Sequence, residues 1–256
     1  MLGAIAGDII GSPYEFTNHK NYNFPLFSEK STFTDDSVLT VAVADALMHR
    51  LDIAQTLKLY ANRYPGRGYG GSFSQWMVSE SLVPYNSWGN GSAMRTSPIG
   101  FFFMDESDVL RTAREYAAVT HNHPEGIKGA QATAYAIFMA QQGGTKDDIR
   151  SEITRWFNYD LSRKLDDIRP TYSFDISCMG TVPEAITAFL ESDDFEDAVR
   201  KAVSLGGDAD TLACITGSIA EAYYGIVPDA IAVRVKDVLP KEFLNVIEKF
   251  HLVIEK

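Results

Sequence analysis

The chain has 256 residues, 45% of them hydrophobic and 22% charged, proportions that suit a soluble globular protein with a sizeable core. Its 34 acidic and 23 basic residues leave a net charge of −11, with the basic residues scattered rather than clustered. That balance argues against a protein held mainly by nucleic-acid phosphates or by an anionic membrane surface.

Met1–Gly7 has no basic leader and meets Asp8 too early for a secretory signal. No apolar stretch approaches the ~20 residues that a membrane span needs. Cys178 and Cys214 form neither a CxxC motif nor a disulfide framework, so a cytoplasmic location is expected.

Residues 2–11 read as a helix in which Gly3, Gly7 and Gly11 share one face, open to close approach by a neighbouring helix. Asp8, inside so tight a segment, would be costly to bury without a partner. Ser12-Pro13 ends the helix, and a polar, aromatic loop runs to about Phe33. Asp36 is expected to cap a helix through Arg50, with Val38, Leu39, Ala42, Val43, Ala46 and Leu47 as its apolar face. A helix over 53–63, a Gly-rich turn over 64–71 and a short helix around Gln75–Met77 follow. After a loop over 84–88, the turn Gly89–Ser92 leads into Ala93–Arg95, and a helix resumes near Pro98.

Two helices over 105–119 and 124–142 come next; Pro124 holds a favoured first position and Gly143-Gly144 stops the second. Residues 145–157 are amphipathic and 158–180 irregular. Helices are then expected over about 181–191, 194–204, 211–224, 229–238 and 241–250. Strand-type alternation is almost absent, and neither a repeat nor a linker is visible. The expectation is one compact all-α domain over 1–256, with about ten helices.

Gly206-Gly207-Asp208-Ala209-Asp210-Thr211 places two carboxylates and a hydroxyl at a helix start, and Thr34-Asp35-Asp36 repeats that chemistry near the N-terminus. Helix capping alone explains either segment. If the fold joins the two helix starts, four carboxylates converge and must take up protons or find counter-charge. Oxygen-preferring divalent cations, Mg²⁺ or Mn²⁺, are the natural solution, and the donors suffice for two ions. The five histidines lack zinc-type spacing. Gly206 and Gly207 are expected to let a substrate approach the ions. Glu15 is a further acidic candidate.

Gly89-Asn90-Gly91-Ser92-Ala93-Met94-Arg95 offers backbone N–H groups to an anion, and Arg95 a charged contact to phosphate. The same residues read equally as a helix start capped by Ser92, with Arg95 in a structural pair. His121, in Thr120-His121-Asn122-His123-Pro124, suits donation to a phosphate or sugar oxygen, or capping of its own helix. Tyr85 and Trp88 could stack on a nucleobase or pack in the core.

Taken in order, these motifs resemble the ADP-ribosylglycohydrolase family over nearly the whole chain. The resemblance runs through Gly7–Gly11 with Glu15, Phe33–Ser37, Gly89–Arg95, Thr120–Pro124, Gly180–Ala185 and Gly206–Thr211. It implies an orthogonal, all-helical fold with Thr34, Asp35, Asp36, Asp208, Asp210 and Thr211 as ligands of a binuclear Mg²⁺ (or Mn²⁺) centre. Glu15 or Asp36 would be the catalytic base. Gly89, Asn90, Gly91, Ser92, Met94, Arg95 and His121 would hold the diphosphate and neighbouring ribose of ADP-ribose.

The implied activity is Mg²⁺-dependent hydrolysis of the glycosidic bond between ADP-ribose and an acceptor, a protein side chain or a small molecule. A module that binds ADP-ribose without turnover and a metal-dependent phosphohydrolase of ADP-ribose are the alternatives. The expected partner is an ADP-ribosylated substrate or a free ADP-ribose derivative, with no membrane or nucleic acid, and the expected state is a monomer.

Overall fold

One glycine face on the first helix sets the close packing around which the other helices assemble. The structure, a computed structural model, describes residues 1–254. Helix α1 spans Leu2–Gly11 and runs into a 3-10 turn, Ser12–Tyr14. After a loop come α2 (Asp35–His49), α3 (Ile53–Arg63), α4 (Gly71–Val78), α5 (Gly91–Met94), α6 (Ser97–Phe102) and α7 (Glu106–Ala118). The chain continues with α8 (Pro124–Gln141), α9 (Lys146–Phe157), α10 (Leu165–Ile168), α11 (Cys178–Leu190) and α12 (Phe195–Val203). It closes with α13 (Ala209–Tyr224), α14 (Asp229–Val238) and α15 (Lys241–Ile254).

The all-α expectation holds. Among the described residues the only β feature is an isolated bridge between Gly89 and Ser177. The described residues form fifteen α-helices rather than the ten or so expected; two of them, α5 and α10, have four residues each and are too short to show a period.

Helix α13 is the central post. Every residue from Ala209 to Ala220 is buried, enclosed by α1, α8, α11 and α12. The contact with α1 is the tightest. A Cβ at Gly7 would overlap the Ala213 carbonyl, one at Gly3 the Gly217 carbonyl, and one at Gly11 would lie 2.5 Å from the Ala209 carbonyl oxygen. The spacing of four visible in the sequence therefore does what it suggested, bringing two helix backbones together.

Several helix starts differ from expectation by a few residues, α4 beginning at Gly71 and α11 at Cys178 rather than near 75 and 181, and two of the shifts bear on the acidic segments. Thr34, not Asp36, caps α2: its hydroxyl accepts from the Asp36 backbone N–H at 3.3 Å, and Arg50 ends the helix in the left-handed region. Helix α13 begins at Ala209 rather than 211, with Asp208 at the cap position but making no side-chain cap. Capping thus accounts for the Thr34 hydroxyl and leaves the Asp208 carboxylate free for something else.

The glycine contact is testable by urea denaturation. Gly7→Ala should lose about 3 kcal/mol or more, since backbone cannot move aside as a side chain can. Gly71→Ala, where an added Cβ meets nothing within 4 Å, should change stability by less than about 0.5 kcal/mol. Equal effects at the two sites would refute this account of the packing.

Candidate metal centre

The starts of α2 and α13 meet in space, with the end of α1 between them. Carboxylate oxygens of Asp8, Asp36 and Asp210 lie within 4.8 Å of one another, and so do those of Glu15, Asp208 and Asp210. Asp210 belongs to both groups. Asp8, Asp36, Asp208 and Asp210 are buried, and Glu15 is half-buried. Thr34 and Thr211 flank the junction, each hydroxyl 3.4 Å from Asp36 Oδ2. Asp35 lies outside the two tight groups but lines the same cleft. Both helix starts expected to converge have done so.

Individual partners differ in a way that matters chemically. Asp8, which the motif reading did not include as a site residue, accepts four hydrogen bonds: from Thr34 N at 3.0 Å, Thr34 Oγ1 at 2.7 Å, Ser37 N at 3.1 Å and the Ser37 hydroxyl. Asp208 Oδ2 accepts from Asn90 Nδ2 at 2.6 Å, and the same amide reaches Thr181 Oγ1 at 3.0 Å. Asp210 Oδ1 accepts from Thr211 N at 2.9 Å. Asp36 Oδ1 is buried and has no hydrogen-bond partner at all. A buried, unpartnered carboxylate oxygen is unfavourable unless something cationic meets it.

No cationic side chain does. None of the ion pairs among the described residues includes these carboxylates. Burial, and then the neighbouring carboxylates, push Asp35, Asp36 and Asp210 well above the usual carboxylate range. Burial lifts Asp8 to about 6, partly offset by the bonds from Ser37 and Thr34. Glu15 is raised to about 7 by burial and then by Asp208 and Asp8. The donors are all oxygens and the charge is all negative, which fits hard divalent cations.

The acidic groups open onto a cleft of about 340 Å³ whose walls also include Gly89, Asn90, Gly91, Met94, Arg95 and His121. A larger hollow of about 920 Å³, beside Met1, Phe101, Leu244 and Phe250, is lined by Glu221 and Glu248 but holds no clustered set of carboxylates among the described residues. Volume alone would favour the larger one; chemistry favours the smaller.

The loop residues divide into two kinds. Asn90 faces Asp208, as above, so its amide organises the acidic group. Ser92 is fully buried with its hydroxyl bonded to the Gly126 carbonyl at 2.7 Å, and Asn90 rather than Ser92 holds the cap position of α5. Arg95 is 1% exposed; Nη2 donates to Thr120 Oγ1 at 2.8 Å and to the Tyr116 carbonyl at 3.2 Å, while Nη1 has no partner.

Thr120 Oγ1 lies 2.8 Å from His121 Nδ1, which completes a chain from Arg95 through Thr120 to His121. Burial, then Arg95, hold the imidazole well below its ordinary pKa, so it is neutral. The positive guanidinium favours a lone pair on Nδ1 and hence the hydrogen on Nε2, the ring atom beside Gly91. His123, two residues on, is the histidine that caps its own helix, accepting from Glu125 N at 3.2 Å. Tyr85 lines the cleft edge-on to His121, whereas Trp88 is 45% exposed and outside it.

Gly206 and Gly207 require correction. Both have φ of +72°, and an added Cβ would meet Asn18 Oδ1 at 2.7 Å or the Ser173 carbonyl oxygen at 2.8 Å. They turn the chain into α13 and pack on other loops, rather than clearing a path for substrate. Two residues missed from sequence are Phe16 and Phe174, exposed rings 5.8 Å apart on the cleft. They come from separate irregular loops, which carry no periodic signal.

A family model described as ADP-ribosylglycohydrolase matches residues 1–256. The chain is 26% identical to the ADP-ribosylhydrolase ARH3 of Homo sapiens, over 90% of this chain and 86% of that protein. It is also 26% identical to the Danio rerio ARH3, over 88% and 82%, and to an uncharacterized protein of Archaeoglobus fulgidus, over 96% and 92%. A solved structure titled ADP-ribosylglycohydrolase-related protein complex shares the fold, with a TM-score of 0.73 and 24% identity, covering 99% of this chain and 97% of that one.

The acid cluster makes a signed prediction. Folded-state carboxylate pKa values of about 6 and about 7 exceed those of an unfolded chain, so the metal-free folded protein holds extra protons at mildly acid pH. Its stability should therefore fall as pH rises from about 4.5 to about 7.5 in EDTA, and saturating Mg²⁺ should flatten that slope. Thermal melts across the range check it; a melting point that climbs or stays level in EDTA would disprove it.

Proposed function

The chain belongs to the ADP-ribosylglycohydrolase family, and from that premise we propose that it hydrolyses the glycosidic bond between ADP-ribose and an acceptor. The observation that carries this reading is the buried acidic cluster, with its unpartnered Asp36 oxygen, opening onto the cleft shared with the Gly89–Gly91 turn and His121.

Asp35, Asp36, Asp208 and Asp210, with the hydroxyls of Thr34 and Thr211, would hold two divalent cations, Mg²⁺ or Mn²⁺. Such ions, when bound, supply positive charge that orients sugar hydroxyls and acidifies water. The protein's own groups do the rest. Cleavage at the distal ribose C1″ passes through an oxocarbenium-like carbon, and attacking water must lose a proton to a nearby base. We assign that base to Glu15. It sits against Asp208 and Asp210 yet remains half-exposed, and its pKa is lifted toward neutrality. Asp36 is deeply buried and better suited to holding a cation.

The diphosphate and its ribose would lie along the Gly89–Gly91 turn. His121, fixed by Thr120 as a neutral Nε2–H donor, suits an oxygen acceptor there. Arg95 is a buried cation in the cleft wall with no carboxylate partner and Nη1 unpartnered, so it favours an anion in the cleft. The two buried free thiols, Cys178 and Cys214, are in keeping with a reducing compartment such as the cytoplasm, and no described helix is long and apolar enough to cross a membrane.

The deciding experiment is a panel of defined ADP-ribosylated substrates, linked through arginine, serine or acetyl ester, assayed with and without Mg²⁺. ADP-ribose released intact is the expected product; AMP with ribose phosphate would instead identify a phosphohydrolase, and tight binding without products a binding module. Asp208→Asn and Asp210→Asn should each lower turnover by about 100-fold or more. Near-normal turnover in either variant, insensitive to EDTA, would defeat the metal-dependent reading. Thr120→Val, which frees the His121 ring, should raise KM about tenfold with little change in kcat. Unchanged KM would remove His121 from the binding site.

A further inference from the structure

We infer that Asp8 is a positioning residue of the proposed metal centre: from α1 it holds the start of α2 against the start of α13, and it is not itself a ligand. The inference rests on the metal-dependent reading of the cluster and assigns a role which proximity alone would misstate, since Asp8 lies as close to Asp36 and Asp210 as a ligand would.

The first argument is acceptor capacity. A carboxylate has about four lone-pair sites. Asp8 Oδ2 is saturated by three donors, Thr34 N, Ser37 N and Ser37 Oγ, while Oδ1 accepts from Thr34 Oγ1 and keeps one lone pair. A cation could reach Asp8 only at that one lone pair of Oδ1, beside the Thr34 hydroxyl, in a side chain with no solvent exposure and with its other oxygen already fully engaged. Asp36, by contrast, has one oxygen with no partner and the other with hydroxyls only at 3.4 Å.

The second argument is what the four donors are. Two are backbone N–H groups at the start of α2, which a helix cannot satisfy internally. Asp8 therefore acts as a cap delivered from a different helix. Its neighbour Gly7 packs directly on the Ala213 backbone, and Gly11, one turn on, packs on Ala209 and Asp210. The carboxylate thus ties α2 to the helix bearing Asp210, through a contact that allows little play.

The third concerns one proton. The Thr34 hydroxyl has a single hydrogen and two candidate acceptors, Asp8 Oδ1 at 2.7 Å and Asp36 Oδ2 at 3.4 Å. The shorter bond takes it. Asp8 thereby keeps the Thr34 hydrogen away from Asp36, leaving both the Asp36 carboxylate and a Thr34 lone pair available to a cation.

Mn²⁺ titration of the full chain, followed by electron paramagnetic resonance, tests this with Asp8→Asn, Ser37→Ala and the double variant. Asp8→Asn should bind as many Mn²⁺ ions as the unaltered chain, with affinity lowered about tenfold or more. Ser37→Ala should weaken affinity about threefold while leaving the number of ions unchanged, although Ser37 is no proposed ligand. The double variant should be no weaker than Asp8→Asn alone, because both act through one hydrogen-bonded unit. If Asp8→Asn does not fold, Ser37→Ala and Ser37→Val carry the test. Loss of one bound ion in Asp8→Asn would make Asp8 a ligand and overturn the inference, as would affinities within twofold of the unaltered chain in all variants. Failure of the unaltered chain to bind Mn²⁺ would overturn the underlying metal reading instead.

Discussion

Like charge confined in a small, dry volume is the constraint on which this molecule turns. Asp8, Glu15, Asp36, Asp208 and Asp210 crowd together, and no arginine or lysine is paired with them among the described residues. Such a group is unstable as a set of bare anions. It either holds protons, as the raised pKa values describe for the metal-free chain, or it holds cations. A site of this kind persists only where the surrounding fold is rigid enough to keep the carboxylates from drifting apart.

The rigidity comes from backbone packing. The glycines of α1 let that helix sit directly on α13, and the post formed by α13 is enclosed on all sides. Helix–helix contact without intervening side chains leaves little freedom to slide. The acidic residues then sit at helix starts, where unpaired N–H groups favour negative charge. Asn90 and the Thr34–Ser37 turn add directed hydrogen bonds that orient particular oxygens. Repulsion is opposed by geometry on three sides.

The other half of the cleft has a different character. Arg95 is buried beneath it, Thr120 links that cation to His121, and the exposed rings of Phe16 and Phe174 stand on it. A negative cluster beside a region of positive potential suits a ligand that is anionic along part of its length and rich in hydroxyls elsewhere. An ADP-ribose group has that distribution. The two regions are brought together by α5, so short that its role is to aim Asn90 and Arg95 in different directions.

The residues in sequence by themselves determined the helical class, most helix boundaries to within a few positions, and two matching clusters of ligand chemistry, Thr34–Asp36 and Asp208–Thr211, whose meeting only the fold decided. Those features are local: apolar periodicity, turn residues and clustered ligand chemistry are properties of short segments. Tertiary structure alone decided which oxygen of which carboxylate is left without a partner, since that depends on donors 26 to 118 residues away. It also decided that Arg95 faces Thr120 and Ser92 faces Gly126, that Gly206 and Gly207 serve backbone turns, and that Phe16 meets Phe174. Asp8 is the clearest instance. Its sequence context announced a burial problem, and only the packing of α1 between α2 and α13 supplied the four donors that answer it.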